Sequence, residues 1–209
     1  MGTHTSGSEQ STKFLPDAES SLAKPGSLTD PNGGIASLTL AEFLALPEGD
    51  VTYELIDGQA IPKISPKFRH SRSQKKLLFL LEAWATDKGF VQPKWAVQLQ
   101  RNGNDWVPVP DLLYISFERL SPDWDEDAPC PVAPELAVDI VSPDQSFGAI
   151  AERASAYLLA GVLRVWIVDS QHQSLTVFAP NQMLRIYRPP ESLEDSLFPE
   201  LSLLIGDIF

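Results

Sequence analysis

The sequence of 209 residues predicts a mixed α/β domain, with a central mixed sheet flanked by helices. Three observations carry this reading. Segments 66–87 and 147–159 hold apolar residues at helical spacing, and short strand-like runs lie between and after them. The hydrophobic fraction of 43% is enough to bury a real core. The resulting order is αβαβββαβββ across residues 38–209, read as one compact domain. Residues 1–37 are rich in Ser, Thr, Gly, Pro and Asp without hydrophobic period, and read as a flexible polar leader.

Thr39 is the expected N-cap of a short helix through Leu46, with Glu42 completing a capping box. Tyr53 to Ala60 reads as a strand broken by the turn-forming pair Asp57-Gly58. A long helix follows from near Pro66 to about Asp87, placing Leu77, Leu81 and Trp84 toward the core, with Gly89 as its stop. Strands are predicted at 91–100, 111–116 and 136–142, the last ended by Ser142-Pro143. Phe147 to Leu159 suits a second helix stopped by Gly161. Arg164–Asp169, Leu175–Phe178 and Leu184–Tyr187 complete the strands, with His172 in an exposed turn. The acidic segment 118–135, with its four prolines, reads as a solvated surface loop.

Sixteen Lys and Arg face 28 Asp and Glu, a net charge of -12, which argues against coating nucleic acid or anionic membrane through bulk charge. Cys130 is the single cysteine, which excludes an internal disulfide and a cysteine-based zinc site. No apolar run approaches the ~18 residues of a membrane-spanning helix, and the first residues lack a secretory pattern. The expectation is a cytoplasmic protein with no membrane partner.

Three acids fall inside predicted strands. Glu54 lies in YELIDG, Asp111 opens DLLYIS, and Asp139 sits in LAVDIVS. Alternation puts Asp139 on the face of Ala137 and Val141, opposite Leu136, Val138 and Ile140. A strand carboxylate among apolar neighbours needs a partner. Arg153 or Arg164 could pair with it, or a divalent cation could bridge it to Asp111 and Glu54, because hard cations take carboxylate oxygens. Chemistry alone leaves both open.

The succession YELIDG, a His in a basic helix, PDLLYIS, PELAVDIVSP, YLLAGV and VWIVD resembles the Uma-type restriction endonuclease family of the PD-(D/E)XK nuclease superfamily. The match spans residues 38–209 and rests on motif order rather than on one motif. The resemblance implies a restriction-endonuclease-like fold holding Glu54, Asp111 and Asp139 around Mg²⁺ or Mn²⁺. It implies hydrolysis of DNA phosphodiesters, and a homodimer by analogy. The parent superfamily carries Lys two residues after the second acid, where this chain has Val141. The Uma-type Lys, four residues before a Tyr, is replaced by Arg153 ahead of Tyr157. Arginine stays protonated and cannot act as a base, though it can stabilise a phosphate.

Lys63, Lys67, Arg69, Arg72, Lys75 and Lys76 put six positive charges in 14 residues with no acid among them. Lys67, Arg69, His70, Arg72 and Lys76 are the nucleic-acid-contact candidates, against the alternative of a solvated helix face. Gln98 is a weaker candidate to line the same cleft. Tyr157 and Trp166 read as core aromatics. Two functional readings follow: a Mg²⁺- or Mn²⁺-dependent endonuclease with Glu54, Asp111, Asp139 and Arg153 in the site, or a degenerate nuclease-like fold acting as a nucleic-acid or protein interaction module. A purely structural set of ion-paired acids is the third.

Overall fold

In the computed structural model the described residues are 1–2, 37–47, 49–63, 65–142 and 145–209. The predicted leader falls almost wholly outside them, as does Pro143. The first helix, α1 (Leu40–Leu44), starts at Thr39 as the sequence predicts. The Thr39 side chain accepts the Glu42 N–H at 3.3 Å, and the Glu42 carboxylate accepts the Thr39 N–H at 2.8 Å. The helix ends at Leu44, with Ala45 as its C-cap, two residues short of the predicted end.

Strands β1 (Tyr53–Ile56) and β2 (Gln59–Pro62) form an antiparallel hairpin rather than one interrupted strand. Asp57 and Gly58 both take positive φ, 49° and 75°, the two-residue turn whose twist matches that of paired strands. The hairpin stands apart from the central sheet. It is tethered where Leu55 and Val107 exchange backbone hydrogen bonds of 3.2 and 3.0 Å.

Helix α2 (Phe68–Ala85) buries Leu77, Leu81 and Ala85. Its stop is not Gly89. Asp87 takes the left-handed turn at φ 61°, and Gly89 begins β3 (Gly89–Pro93). Glycine is needed there because a Cβ would lie 2.2 Å from the Ile115 carbonyl oxygen. The predicted strand 91–100 is two strands, β3 and β4 (Leu99–Arg101), because Lys94 at φ 55° turns the chain between them. β4 pairs with β5 (Asn104–Trp106), whose polar start gave no strand signal.

The central sheet adds β6 (Leu112–Ser116), β7 (Leu136–Ile140), β8 (Arg164–Asp169), β9 (Ser174–Phe178) and β10 (Arg185–Tyr187). Its order is β10-β9-β8-β7-β6-β3, antiparallel except for β7–β8. That parallel pair requires a crossover, and α3 (Phe147–Leu159) supplies it. The side chain of Ser146 caps α3 by accepting the Ala149 N–H, and Gly161 follows at φ 100°.

The strands alternate between two cores. Leu136, Val138, Ile140 and Trp166 pack with Leu77 and Leu81 of α2 and with Phe198. Ala137, Val165 and Ile167 pack with Ala154 and Tyr157 of α3. The mixed sheet is therefore covered on both faces, as predicted. β11 (Ser192–Glu194), β12 (Ser202–Leu204) and a 3-10 helix at Ile205–Ile208 close the α2 layer.

The 118–135 segment is only partly a solvated loop. Asp123, Asp125, Glu126 and Asp127 are exposed, but Leu120, Cys130 and Glu135 are buried. Glu135 accepts hydrogen bonds from the Ser116 N–H and hydroxyl at 3.0 and 2.6 Å and pairs with Arg119 at 3.1 Å. Its exposed tip carries the solvated acids, while its ends knit into the core.

Candidate active site

The acids meet where the hairpin, the end of the sheet and α3 converge. Asp111 precedes β6 and donates its N–H to the Val138 carbonyl at 2.8 Å, which seats it beside β7. Its Oδ2 accepts the Ile140 N–H at 2.7 Å. Asp139 lies on β7 on the α3 side, as strand alternation predicts. Glu54 reaches in from β1, and its Oε1 accepts the Val109 N–H at 2.8 Å. These side chains line a cavity of about 190 Å³ with Lys63, His70, Lys94, Val141 and Arg153.

Arg153, not Arg164, is the partner of Asp139. Its Nε donates to Asp139 Oδ2 at 2.6 Å, and its two terminal nitrogens donate to Glu54 at 2.9 and 2.7 Å. One terminal nitrogen also donates to the Tyr157 hydroxyl at 3.0 Å. Arg164 is engaged elsewhere, with Asp195 at 2.6 and 3.0 Å. The guanidinium therefore orients two carboxylates at once, and Tyr157 is a core aromatic whose hydroxyl serves the site.

Lysines fill the remaining space. Lys63 follows β2, and its Nζ lies 3.4 Å from Asp111, 3.9 Å from Glu54 and 4.0 Å from Asp139. It also donates to the Val109 carbonyl. Lys94 contacts Asp111 Oδ1 directly. His70, in the first turn of α2, sits with Nε2 3.3 Å from Asp111 Oδ2, outside hydrogen-bond geometry, so both ring nitrogens lack a partner among the described residues. Gln74, one turn on, donates to the Asp111 carbonyl at 2.7 Å.

The electrostatics follow from burial and these contacts. Burial works to raise the pKa of Asp111, but His70, Lys63 and Lys94 outweigh it and hold the carboxyl below the usual range. Glu54 is likewise lowered: burial opposes ionisation, while Arg153, Lys63 and the Val109 N–H favour it. Arg153 is pushed further up despite its own burial, chiefly by Asp139, with Tyr157 and Glu54. Tyr157 is raised well above an ordinary phenol by burial, which keeps it neutral.

Carboxylate oxygens suit a hard divalent cation in kind, and one oxygen from each of Glu54, Asp111 and Asp139 converges on the same space. As the side chains stand, the Lys63 ammonium occupies that space. Among the described residues no group of three or more His, Cys, Asp or Glu is set to hold a metal ion without rearrangement.

With this geometry in view, the sequence matches the Uma2 family model, described as "Putative restriction endonuclease", over residues 40–206. The chain belongs to the Uma2 family. Among solved structures it is similar to "a putative nuclease belonging to DUF820" from Anabaena variabilis ATCC 29413. That likeness has a TM-score of 0.71 and 26% identity, covering 82% of this chain and 97% of the other. No functionally curated protein matches. The restriction-endonuclease-like fold accounts for the mixed central sheet with its one parallel pair.

Within this Uma2 domain, Glu54, Asp111, Asp139 and Arg153 line one cavity. The nucleic-acid candidates divide. Lys67 and Arg69 are exposed and line a neighbouring cavity of about 500 Å³, which shares His70, Val141, Ser142 and Gln145 with the first. Arg72 is exposed but lines neither of those two cavities. His70 is buried against Asp111 rather than presented on a surface. Lys76 turns to the Phe209 carbonyl. Gln98 lies away from the cleft, in a separate depression with Leu99 and Gln100.

The sequence pattern does not single out Lys94 or Gln74, and it groups Lys63 with the basic run 63–76 instead of with the acids. Only Tyr157 carried a readable signal, since four residues along a helix places it on the face of Arg153. No helix among the described residues is long and apolar enough to cross a membrane.

Proposed function

We propose that this protein is a divalent-metal-dependent endonuclease that hydrolyses DNA phosphodiester bonds, with Mg²⁺ or Mn²⁺ held by Glu54, Asp111 and Asp139, and that it acts as a homodimer. The observation that carries this reading is the meeting of those three acids and two lysines in one cleft of a chain whose relatives are described as nucleases. A bound divalent cation would supply Lewis-acid polarisation of the phosphate and an activated water.

The residues of the chain divide the remaining work. Asp111 and Glu54, kept ionised by their cations, present oxygens at neutral pH. Arg153 spends its donors on Glu54, Asp139 and Tyr157, so it is a positioning residue and not a phosphate clamp. Lys63 and Lys94 are the cations with a single flexible stem, and they stabilise charge on the phosphate. Lys67 and Arg69 line the adjoining cavity, where a strand's phosphates would pass.

The test is nicking of supercoiled plasmid in millimolar Mn²⁺ by the wild type and by Asp139→Asn. Cleavage that vanishes in the variant supports the enzyme. Silence of the wild type on duplex, single-stranded and branched DNA would overturn it in favour of an interaction module. That second reading is favoured by one observation, the match of three carboxylates by Lys63, Lys94 and Arg153.

A further inference from the structure

We infer that the Lys63 ammonium is a resident counter-cation which a divalent ion must displace, so that metal binding and release of Lys63 are one event. The inference rests on the metal-dependent reading above and adds a device to it. Lys63 Nζ faces one oxygen of each acid, Asp111 Oδ1 at 3.4 Å, Glu54 Oε1 at 3.9 Å and Asp139 Oδ1 at 4.0 Å. It is the only cation among the described residues within 4.0 Å of all three, because Lys94 reaches Asp111 alone and Arg153 reaches Glu54 and Asp139.

A monovalent ammonium at that point neutralises part of the charge that would otherwise keep the acids apart. A divalent ion there and the ammonium beside it would repel strongly in a partly desolvated cavity, so the two occupy the place in turn. The geometry lets Lys63 leave. Its side chain is 21% exposed, against 3% for Asp111 and 7% for Glu54. Its backbone stays fixed by an N–H bond of 2.8 Å to the Thr52 carbonyl, so departure is a side-chain rotation and not an unfolding. The displaced ammonium remains tethered to the fixed backbone, within reach of an incoming phosphate.

Displacement has a thermodynamic signature. The affinity measured for the metal is its affinity for the vacated site, reduced by the fraction of molecules in which Lys63 has left. Removing the ammonium removes that reduction. Removing an equal charge elsewhere on the domain does not, and Lys75, exposed on α2 over the Phe79 ring, is the control.

The experiment is calorimetric titration of the full chain with Mn²⁺, without nucleic acid, for the wild type, Lys63→Met, Lys63→Gln and Lys75→Met, with thermal melting of each. Either Lys63 variant should bind Mn²⁺ on the order of tenfold more tightly than the wild type and gain more in Tm from it, while Lys75→Met stays within about twofold. Two neutral variants guard against one failing to fold. Equal affinities in wild type and Lys63 variants, with binding abolished by Asp111→Asn, would overturn the displacement and leave the metal site standing. Absence of binding in all of them would overturn both. An equal gain in Lys75→Met would assign the effect to net charge and likewise overturn it.

Discussion

Arg153 grips Glu54 through two parallel hydrogen bonds, 2.9 and 2.7 Å long, between positions 99 residues apart in the sequence. The pair joins α3 to the β1–β2 hairpin, whose backbone is tethered at Leu55 and Val107. Fork-to-carboxylate geometry of this kind is among the strongest side-chain pairings and tolerates little rotation. Because the same guanidinium also holds Asp139 at 2.6 Å, one residue sets the spacing of two acids on different elements. Arg153 is therefore the architectural centre of the site.

Removing that centre should be costly. Arg153→Met leaves Glu54 and Asp139 without their main partner, and breaking such a pair from one side costs on the order of 3 kcal/mol. Arg153→Lys should lose roughly half as much, since one ammonium cannot serve both carboxylates in the same geometry. Urea denaturation at pH 7 measures both, and Glu54→Gln added to Arg153→Met should recover part of the loss. If Glu54→Gln costs as much in the Arg153→Met background as it does alone, the two residues are not coupled.

The same charges set the response to acid. Glu54 and Asp111 have folded pKa values below their ordinary ones, so the unfolded chain takes up their protons first as pH falls. Their contribution to stability is complete above the ordinary carboxylate range near ~4 and is lost as pH drops through that range toward the depressed folded values. Asp111→Asn should be less stable than the wild type at pH 7, yet its unfolding free energy should fall less steeply from about pH 5 downward. Parallel slopes in the two proteins would mean that Asp111 gains no ionic partner on folding.

How far the sequence reached can be traced through particular residues. The capping box at Thr39, the turn at Asp57-Gly58 and the bounds of α3 were legible because each is set by neighbours a few positions away. Asp139 needed a partner on chemical grounds, and α3 supplied Arg153. Lys94 could not be read, because its entry into the cavity follows from a left-handed turn at φ 55° inside what looked like one continuous strand. Lys63 sat in a run of basic residues, and charge counting could not tell the one that points inward. His70 was placed on a contact surface for the same reason, although helix phase buries it against Asp111. Long-range convergence, which decides a site, leaves little local trace.

Gly89 offers a test of the fold independent of charge. A methyl group on its Cα would stand 2.2 Å from the Ile115 carbonyl oxygen and 2.7 Å from the Tyr114 ring, which is the reason for glycine there. The carbonyl cannot yield without loosening β3 from β6, whose pairing begins at Gly89 and Ser116. Gly89→Ala should cost about 1–3 kcal/mol, in the range of overpacking. At Gly103 nothing stands within 4 Å but φ is +81°, so Gly103→Ala should cost only the conformational strain, about 1 kcal/mol. Thermal melts of the two variants side by side separate crowding from strain, and equal losses would contradict the close approach.

Nucleic-acid binding by an acidic chain must be local, and local binding has a salt signature. Lys67 and Arg69 line the cavity beside the acids, whereas Lys75 lies over Phe79 and Lys76 is held by the Phe209 carbonyl. If a DNA backbone runs past the first pair, Arg69→Ala should weaken binding and lower the slope of log affinity against log salt by about 1. Lys75→Ala should change neither, since Lys75 lines neither of the two cavities. Fluorescence anisotropy with a labelled duplex at several salt concentrations, metal omitted so that nothing is cut, reads both quantities. An equal fall for Arg69→Ala and Lys75→Ala would mean that the helix attracts DNA through diffuse charge, and the cleft would lose its claim as the place where a phosphate is delivered.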